Sequence, residues 1–139
     1  MKLVGMTNKL SDNARKFLHE RRFAVLGTLN KEGSPHLTTM WYLLEGETIV
    51  MNTKVGRLKE QNIRRDPRIS ICVEDEGYIT ISGSVEIIDD PQTAQHDIYR
   101  LAVRYDGEEA AKRQVAETFS HEQRITLHLK CEHIIEDLR

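Results

Sequence analysis

The chain has 139 residues, of which 39% are hydrophobic and 30% are charged, and its 20 basic and 22 acidic side chains leave a net charge of −2. These values are typical of one folded domain over residues 1–139, and they give no support for general nucleic-acid binding. No apolar run reaches the roughly 18–20 residues that a membrane span needs, and the first residues lack the apolar stretch of a signal peptide. A cytoplasmic protein without membrane attachment is therefore expected.

The first elements predicted along the chain are a short helix and three strands. Ser11 can cap a helix over about residues 12–20, because apolar side chains there fall on one helix face. The apolar run 23–29 is too short for a typical helix and favours a buried strand. Residues 35–44 and 47–52 are separated by a short Glu-Gly turn, which predicts a hairpin.

The clearest strand of the sequence covers about residues 78–88. Apolar and polar residues alternate strictly along it, as expected for a strand with one buried face. Gly83 lies in its middle and predicts a bulge or bend of the kind that lets a sheet close on itself. Further strands at about 68–74 and 124–130 bring the predicted total to six. Short antiparallel strands joined mostly by tight turns favour a barrel over an open sheet.

Two helices are predicted late in the chain. Asp90 can cap the first helix, Pro91 suits its first position and Gly107 stops it, which gives a helix over about residues 91–105. The second helix covers about residues 108–119, where apolar side chains recur four residues apart. The predicted fold class is therefore mainly β with inserted helices (α+β), in a single domain.

Positive charge is concentrated in residues 52–68. This segment holds six basic side chains against two acidic ones, whereas the rest of the chain holds 14 against 20. Four residues that suit an oxyanion follow one another at the end of a predicted strand: Thr53, Gly56, Arg57 and Lys59. A hydroxyl, backbone amides beside a glycine and two cationic side chains favour a phosphate site. The alternative is a solvated helix face, which is what most charge runs form.

The predicted strand over residues 35–44 carries the only tryptophan of the chain, Trp41. Met and aromatic residues on such an amphipathic strand more often fill a core than line a cofactor pocket. However, this strand is predicted to pair with the one that leads into the basic segment. A planar ligand ring can then use the strand's amide and carbonyl groups for hydrogen bonds and Trp41 for packing.

No other pattern in the sequence points to a specific chemistry. The spacing of His121, His128 and His133 fits no common zinc pattern, so no metal site is expected. Cys72 and Cys131 are too far apart for a CxxC pair and are expected to be buried free thiols. The sequence contains no nucleophile elbow, Walker loop or GxGxxG motif, and no Ser-His-Asp triad can be assembled from it.

Four motifs, taken in order, resemble those of a known superfamily. They are Gly-Ser-Pro-His-Leu-Thr-Thr-Met-Trp-Tyr (33–42), Asn-Thr-Lys-Val-Gly-Arg-Leu-Lys (52–59), Asn-Ile-Arg-Arg-Asp-Pro-Arg (62–68) and Ile-Ser-Gly-Ser-Val-Glu (81–86). Over residues from about 11 to 138 the chain resembles the pyridoxamine 5′-phosphate oxidase-like flavin-binding superfamily, and within it the deazaflavin (coenzyme F420)-dependent oxidoreductases. The resemblance implies a six-stranded split β-barrel of the FMN-binding type. It also implies a homodimer with two cofactors in clefts at the subunit interface.

The resemblance implies which residues contact the cofactor's ring system. In the family, the strand that matches Thr38 to Leu43 lies against the ring. Thr38, Thr39, Met40 and Trp41 are therefore expected to contact it. Tyr78 falls near the place where the partner subunit approaches the ring, and it is expected to take part in the same site.

The resemblance also implies a set of phosphate contacts. Asn52, Thr53 and Lys59 match the family positions that hold the phosphate. Oxidases of the superfamily that use flavin mononucleotide (FMN) commonly place Arg directly before that Lys. This chain has Leu58 there and Arg57 one position earlier, which fits the deazaflavin branch better. F420 is thus the expected cofactor and FMN the alternative.

The expected activity follows from this resemblance. Hydride moves between reduced F420 and a small unsaturated or quinone-like substrate, so no amino-acid nucleophile is required and no catalytic residue is selected. The alternatives are an FMN-binding oxidoreductase of the same fold, a non-catalytic flavin-type cofactor-binding protein and a small barrel that binds nucleic acid. The last is disfavoured because residues 52–68 contain no aromatic side chain on which bases could stack.

Overall fold

The computed structural model describes residues 5–139, which form ten β-strands, four α-helices and one 3₁₀ turn. The strands are β1 (Met6–Thr7), β2 (Ala24–Leu29), β3 (Pro35–Met40), β4 (Leu43–Glu45), β5 (Thr48–Lys54), β6 (Arg68–Glu74), β7 (Tyr78–Ser84), β8 (Glu86–Ile88), β9 (Arg124–Lys130) and β10 (His133–Asp137). The helices are α1 (Asp12–His19), α2 (Leu58–Arg65), α3 (Pro91–Asp106) and α4 (Glu108–Glu117), and the 3₁₀ turn is Phe119–His121.

The strands form two antiparallel sheets. The larger sheet has six strands in the order β1-β10-β7-β6-β2-β3, and the smaller has four in the order β4-β5-β9-β8. Gly46, at φ 62°, turns the chain between β4 and β5, where a residue with a side chain would be strained. Among residues 5–139, β3 is an edge strand of the larger sheet, and one side of its backbone has no neighbouring strand.

The hydrophobic core lies between these sheets. Leu26, Ile71 and Ile81 of the larger sheet and Met51 and Leu127 of the smaller one are each at most 1% exposed and belong to one continuous cluster. Burial of this apolar surface is the main favourable term in folding. Both sheets are therefore held by a shared interior.

The predicted count of six strands is wrong, because two of the predicted strands each divide between the sheets. Residues 35–44 form β3 in the larger sheet and β4 in the smaller one, and residues 78–88 form β7 and β8 in the same way. The short strands β1 and β10 add two more. Within residues 5–139, no strand pairing joins the two sheets into one closed barrel.

The break in the strand 78–88 occurs at Val85, two residues later than predicted. Val85 leaves the ladder, and its N–H donates to the Pro67 carbonyl at 2.9 Å. Gly83 has a different role, since a Cβ at this position would lie 3.3 Å from Leu129 Cδ1. The glycine thus allows the two sheets to approach closely next to the break.

The helix bounds lie close to those predicted from the sequence. Ser11 caps α1 by accepting the Ala14 N–H at 3.0 Å, and Asp90 caps α3 by accepting the Thr93 N–H at 3.1 Å. α4 ends at Glu117, two residues before its predicted end, because the chain tightens into the 3₁₀ turn. No helix within residues 5–139 is long and apolar enough to cross a membrane.

Both cysteines are free thiols. Cys131 is buried, and its burial raises the pKa of the thiol to about 12. Cys72 on β6 is only half-buried. The prediction of burial is therefore confirmed for Cys131 and wrong for Cys72.

Candidate functional site

A cleft of about 290 Å³ lies between the ends of β3 and β5 and the start of α2 on one side, and α3, the 3₁₀ turn and the start of β9 on the other. Seven of the ten predicted site residues line it: Thr39, Met40, Trp41, Asn52, Thr53, Arg57 and Lys59. Six further residues complete the lining: Ile98, Leu101, Thr118, Phe119, Glu122 and Arg124. The structure therefore brings the predicted ring strand and the predicted phosphate segment to one cleft.

Lys59 is the most unusual residue of this cleft. It is only 8% exposed, and its Nζ lies 3.3 Å from Met40 Sδ. In the part of the chain that the structure describes, no carboxylate forms an ion pair with it. Burial lowers the pKa of its ammonium group, and the charges of Arg57 and Arg124 lower it further. A buried cation without a counter-ion is costly, so the site is suited to a ligand that brings negative charge.

The turn before α2 presents backbone groups and charge beside Lys59. Gly56 adopts φ 101°, which lets the chain turn sharply from β5 into the helix. Its N–H donates to Glu60 Oε1 at 2.9 Å, and this hydrogen bond is the main reason for the lowered pKa of Glu60. Arg57 stands at the helix N-cap with an exposed side chain and no ion pair within residues 5–139. The turn is thus fixed by Glu60 while Arg57 stays available.

Thr53 and Asn52 lie at the end of β5 and have different surroundings. Thr53 is 2% exposed, and its hydroxyl makes no hydrogen bond within the described residues. Asn52 donates to the Ala94 carbonyl of α3 at 2.9 Å and accepts from Arg124 Nε at 2.7 Å. Thr53 therefore retains a free hydroxyl at the cleft, whereas Asn52 is used to fix the cleft wall.

Trp41 forms the aromatic wall of the cleft. Its ring stacks on Tyr105 of α3 with centroids 5.2 Å apart and planes 6° apart, and Tyr105 stacks in turn on Phe23 at 5.3 Å. The Tyr105 hydroxyl accepts the Tyr42 N–H at 3.2 Å. One face of the indole is therefore held by protein, and the opposite face is the one that a planar ligand can use.

The edge strand β3 ends beside Trp41. Thr39 is exposed on it and lines the cleft, and the backbone along its outer side has no partner strand in the described part of the chain. The Thr38 hydroxyl is buried and makes no hydrogen bond within residues 5–139. Buried polar groups are normally hydrogen-bonded, so this hydroxyl is an unusual feature of the strand.

Three predicted site residues do not line the cleft: Thr38, Leu58 and Tyr78. Leu58 is the first residue of α2 and is 48% exposed. Tyr78 begins β7 and lies opposite Glu74 and Asp137 in the larger sheet. Its predicted role depends on a partner subunit and stays a prediction.

Arg124 belongs to the cleft although no motif in the sequence marks it as a site residue. The guanidinium donates from Nη1 to Glu122 Oε1 at 2.6 Å, and it lies 5.0 Å from the ring centroid of Phe119. Burial lowers the pKa of Arg124. The antiparallel pairing of β5 with β9 places Lys54 opposite Arg124, and no local sequence pattern reports that pairing.

No group of three or more potential metal ligands is assembled in the described residues.

Comparison with known proteins gives a family match over most of the chain. The family described as pyridoxamine 5′-phosphate oxidase matches residues 10–128. The F420H(2)-dependent biliverdin reductase of Mycobacterium tuberculosis is 29% identical to this chain over 108 residues, which cover 76% of this chain and 79% of the relative.

Solved structures with the same fold give a consistent result. A conserved hypothetical protein of Mycobacterium tuberculosis, Rv2991, is 26% identical with a TM-score of 0.77, covering 91% of this chain and 84% of the other. A protein described as an F420 reductase is 24% identical with a TM-score of 0.70, covering 90% and 98%. At 24% identity, the likeness to the F420 reductase shows a shared fold alone.

Proposed function

Because this chain belongs to the pyridoxamine 5′-phosphate oxidase family, as its motifs predict, we propose that its cleft binds a phosphate-bearing, flavin-type cofactor and that the protein is an oxidoreductase. F420 is the first candidate and FMN the alternative. The proposed reaction transfers a hydride between reduced F420 and a small unsaturated or quinone-like organic substrate.

The observation that carries this proposal is the ammonium of Lys59, which is buried and has no ion-pair partner among residues 5–139. A phosphate placed against it would supply the missing counter-ion, and Arg57 and the Thr53 hydroxyl stand on the same cleft wall. Charge-assisted hydrogen bonds of this kind are about twice as strong as neutral ones. The residues present therefore fit a phosphate group.

The other half of the cleft fits a planar ring. Trp41 offers one indole face, Thr39 and Met40 stand at the end of an edge strand, and Ile98 and Leu101 supply apolar surface from α3. When bound, the cofactor supplies the hydride chemistry. The chain's own residues hold the ring, orient it against Trp41 and exclude water from its buried side.

Two observations favour F420 over FMN. The relative from Mycobacterium tuberculosis is named as an F420H(2)-dependent reductase. In this chain Leu58, and not Arg, directly precedes Lys59. The family as a whole takes its name from an oxidase, so FMN remains the second cofactor to be tested.

We also propose that the protein is a homodimer with the cofactor at the subunit interface. The outer face of β2 and β3 carries the exposed apolar side chains of Leu37 (64% exposed) and Val25 (40%), and Phe23, directly before β2, is 56% exposed. An apolar patch on a sheet face is typical of an interaction surface. Sedimentation should show a dimer, and Leu37→Glu should shift it toward monomer; a wild-type monomer would contradict this part of the proposal.

Cofactor titration tests the main proposal. The purified protein is titrated with F420 and with FMN, and binding is followed by equilibrium dialysis. We expect tight binding of F420, weaker binding of FMN, and at least about tenfold weaker binding by Lys59→Gln. The matched control is Lys112→Gln, which removes the same charge from an exposed ion pair with Glu108 outside the cleft. Failure of both cofactors to bind, or unchanged binding by Lys59→Gln, would contradict the assignment.

Turnover separates the enzyme from a non-catalytic binding protein. Oxidation of the reduced cofactor is followed by absorbance in the presence of biliverdin, quinones and unsaturated ketones. Acceptor-dependent oxidation supports the oxidoreductase. Tight cofactor binding without oxidation by any acceptor favours the non-catalytic alternative.

A further inference from the structure

One end of the cleft is lined by three positively charged side chains and one negatively charged one: Arg57, Lys59, Arg124 and Glu122. Arg57, Lys59 and Arg124 all line the same cleft, and the charges of the two arginines contribute to the lowered pKa of Lys59. Glu122 is the only acidic residue that lines the cleft within residues 5–139. Its carboxylate therefore has a direct influence on any anion that enters.

Glu122 is held between two cations. Its Oε1 accepts from Arg124 Nη1 at 2.6 Å, and its Oε2 lies 3.6 Å from Lys54 Nζ. The side chains of Arg124 and Glu122 are only 10% and 16% exposed, so solvent screens this pair less than it screens a surface pair. The carboxylate thus neutralises charge that would otherwise face the cleft.

Arg124 makes two side-chain contacts, one to Asn52 that is anchored to the fold and one to Glu122 that a ligand can replace. Its Nε donates to Asn52 Oδ1 at 2.7 Å, and Asn52 is itself anchored through Nδ2 to the Ala94 carbonyl at 2.9 Å. Its Nη1 donates to Glu122, whereas its Nη2 donates no hydrogen bond within the described residues. The guanidinium can therefore keep its anchor on β5 while it exchanges Glu122 for another anion.

We infer that Arg124 is a third binding residue for the anionic group of the ligand, and that Glu122 is an internal counter-ion that competes with that group for Arg124. The inference deepens the proposed function, because it concerns the same cleft, but it depends only on the ligand's negative charge. A ligand phosphate contacts Lys59, Arg57 and the Nη atoms of Arg124, and Glu122 is released toward Lys54. Glu122 thereby lowers the affinity of the cleft for anions.

A purely structural role for this ion pair predicts a different outcome. If Arg124 only ties β9 to β5, removing the charge of Glu122 weakens the wall and does not improve the binding of anions. If Glu122 competes with the ligand, the same change frees the guanidinium and removes a repulsive charge. The direction of the change in anion affinity therefore separates the two roles.

The test uses inorganic phosphate and isothermal titration calorimetry on the full chain. Glu122→Gln preserves the shape of the side chain and removes its charge, and we expect phosphate to bind about three- to tenfold more tightly than to wild type. Arg124→Gln should weaken phosphate binding by about tenfold or more. Two variants of an exposed pair outside the cleft serve as charge-matched controls, Glu108→Gln and Lys112→Gln, and both should bind as wild type does.

Every outcome decides the inference. Unchanged or weaker phosphate binding by Glu122→Gln overturns it, as does the absence of measurable binding by both wild type and Glu122→Gln. Unchanged binding by a folded Arg124→Gln protein also overturns it. If circular dichroism shows that Arg124→Gln does not fold, the result for Glu122→Gln decides alone.

Failure of this inference is distinguishable from failure of the proposed function. If phosphate responds to both variants but neither F420 nor FMN binds, the anion site stands and the cofactor assignment fails. If F420 binds and Lys59→Gln abolishes that binding, while Glu122→Gln and Arg124→Gln have no effect on phosphate or F420, the function stands and the third contact fails.

Discussion

The two halves of the basic segment 52–68 use their charge in opposite ways. In the first half, Lys54 lies 3.6 Å from Glu122, but Arg57 and Lys59 line the cleft and form no ion pair within residues 5–139. In the second half, three arginines are engaged by neighbouring oxygens: Arg64, Arg65 and Arg68. The segment is continuous in sequence, but only its first half is suited to a ligand.

Two of these three arginines are neutralised by carboxylates of the protein, whereas Arg65 donates to the neutral oxygens of Leu29 and Asn62. Arg64 pairs with Glu60 and donates to both oxygens of Asp89, at 2.6 and 3.2 Å. Arg68 pairs with Asp66 at 2.7 Å and lowers the pKa of that carboxyl to about 2. A local excess of positive charge is therefore suited to a ligand where the fold gathers it around a cleft and leaves it without a counter-ion among the described residues.

Lys59→Gln, in the first half of the segment, should give the largest loss of ligand affinity of the variants in this segment. Removing the buried ammonium should lower the affinity for phosphate or cofactor by at least about tenfold, since a hydrogen bond to a charged group contributes about 1.5–3 kcal/mol. The free energy of unfolding should not fall, because a buried, unpaired charge is removed. Calorimetry measures the affinity and urea denaturation the free energy of unfolding. A loss of stability with retained binding would show that Lys59 has a structural role and not a binding role.

Arg64→Gln should show the opposite pattern. It leaves Glu60, which is 5% exposed, with its Gly56 hydrogen bond but without its cation. We expect a loss of up to about 1 kcal/mol in stability and an affinity for phosphate within about twofold of wild type. Urea denaturation and calorimetry check this. A tenfold loss of affinity with unchanged stability would place Arg64 in the binding site.

The pH dependence of phosphate binding should report Lys59. Only the charged ammonium binds an anion, and its pKa is lowered from the ordinary value of 10.5 by burial. Affinity should therefore fall as pH rises through this lowered pKa, which lies below 10.5, and Lys59→Arg should keep its affinity over the same range because Arg stays protonated. Calorimetry at a series of pH values measures both curves; parallel curves for the two proteins would contradict the assignment.

Arg68→Gln should have the smallest effect. Its side chain is 73% exposed, and its partner Asp66 is two residues away in sequence. We expect neither the affinity for phosphate nor the melting temperature to change measurably, since exposed ion pairs contribute little. A marked loss of affinity would extend the binding site into the second half of the segment.

Some features of the fold could be predicted from local sequence because their causes are local. α2 covers Leu58–Arg65 because Gly56 breaks the strand before it and Pro67 disfavours helix at Asp66, and both of these signals can be seen in the local sequence. The strand count could not be predicted in this way. Alternation along residues 78–88 continues through Val85, although the chain changes sheets there, because periodicity reports which face is buried and not which strand is the neighbour.

For the candidate site too, the residues within one motif could be predicted from the sequence, and the residue that joins them through strand pairing could not. Residues within one motif, such as Arg57 and Lys59, share a cleft because they are adjacent on the chain. Arg124 reaches the same cleft only through the pairing of β5 with β9. The burial of Lys59 and the ion pair of Glu122 are also tertiary properties, and neither has a signature in the residues around it.

The stacking of Trp41 on Tyr105 has a practical consequence. Trp41 is the only tryptophan of the chain, it lines the cleft, and its ring is fixed 5.2 Å from that of Tyr105. Intrinsic fluorescence excited in the indole band therefore comes from this cleft wall and from nowhere else in the protein. The fold carries an optical probe at the site, and occupancy can be followed by the quenching of one ring without any label.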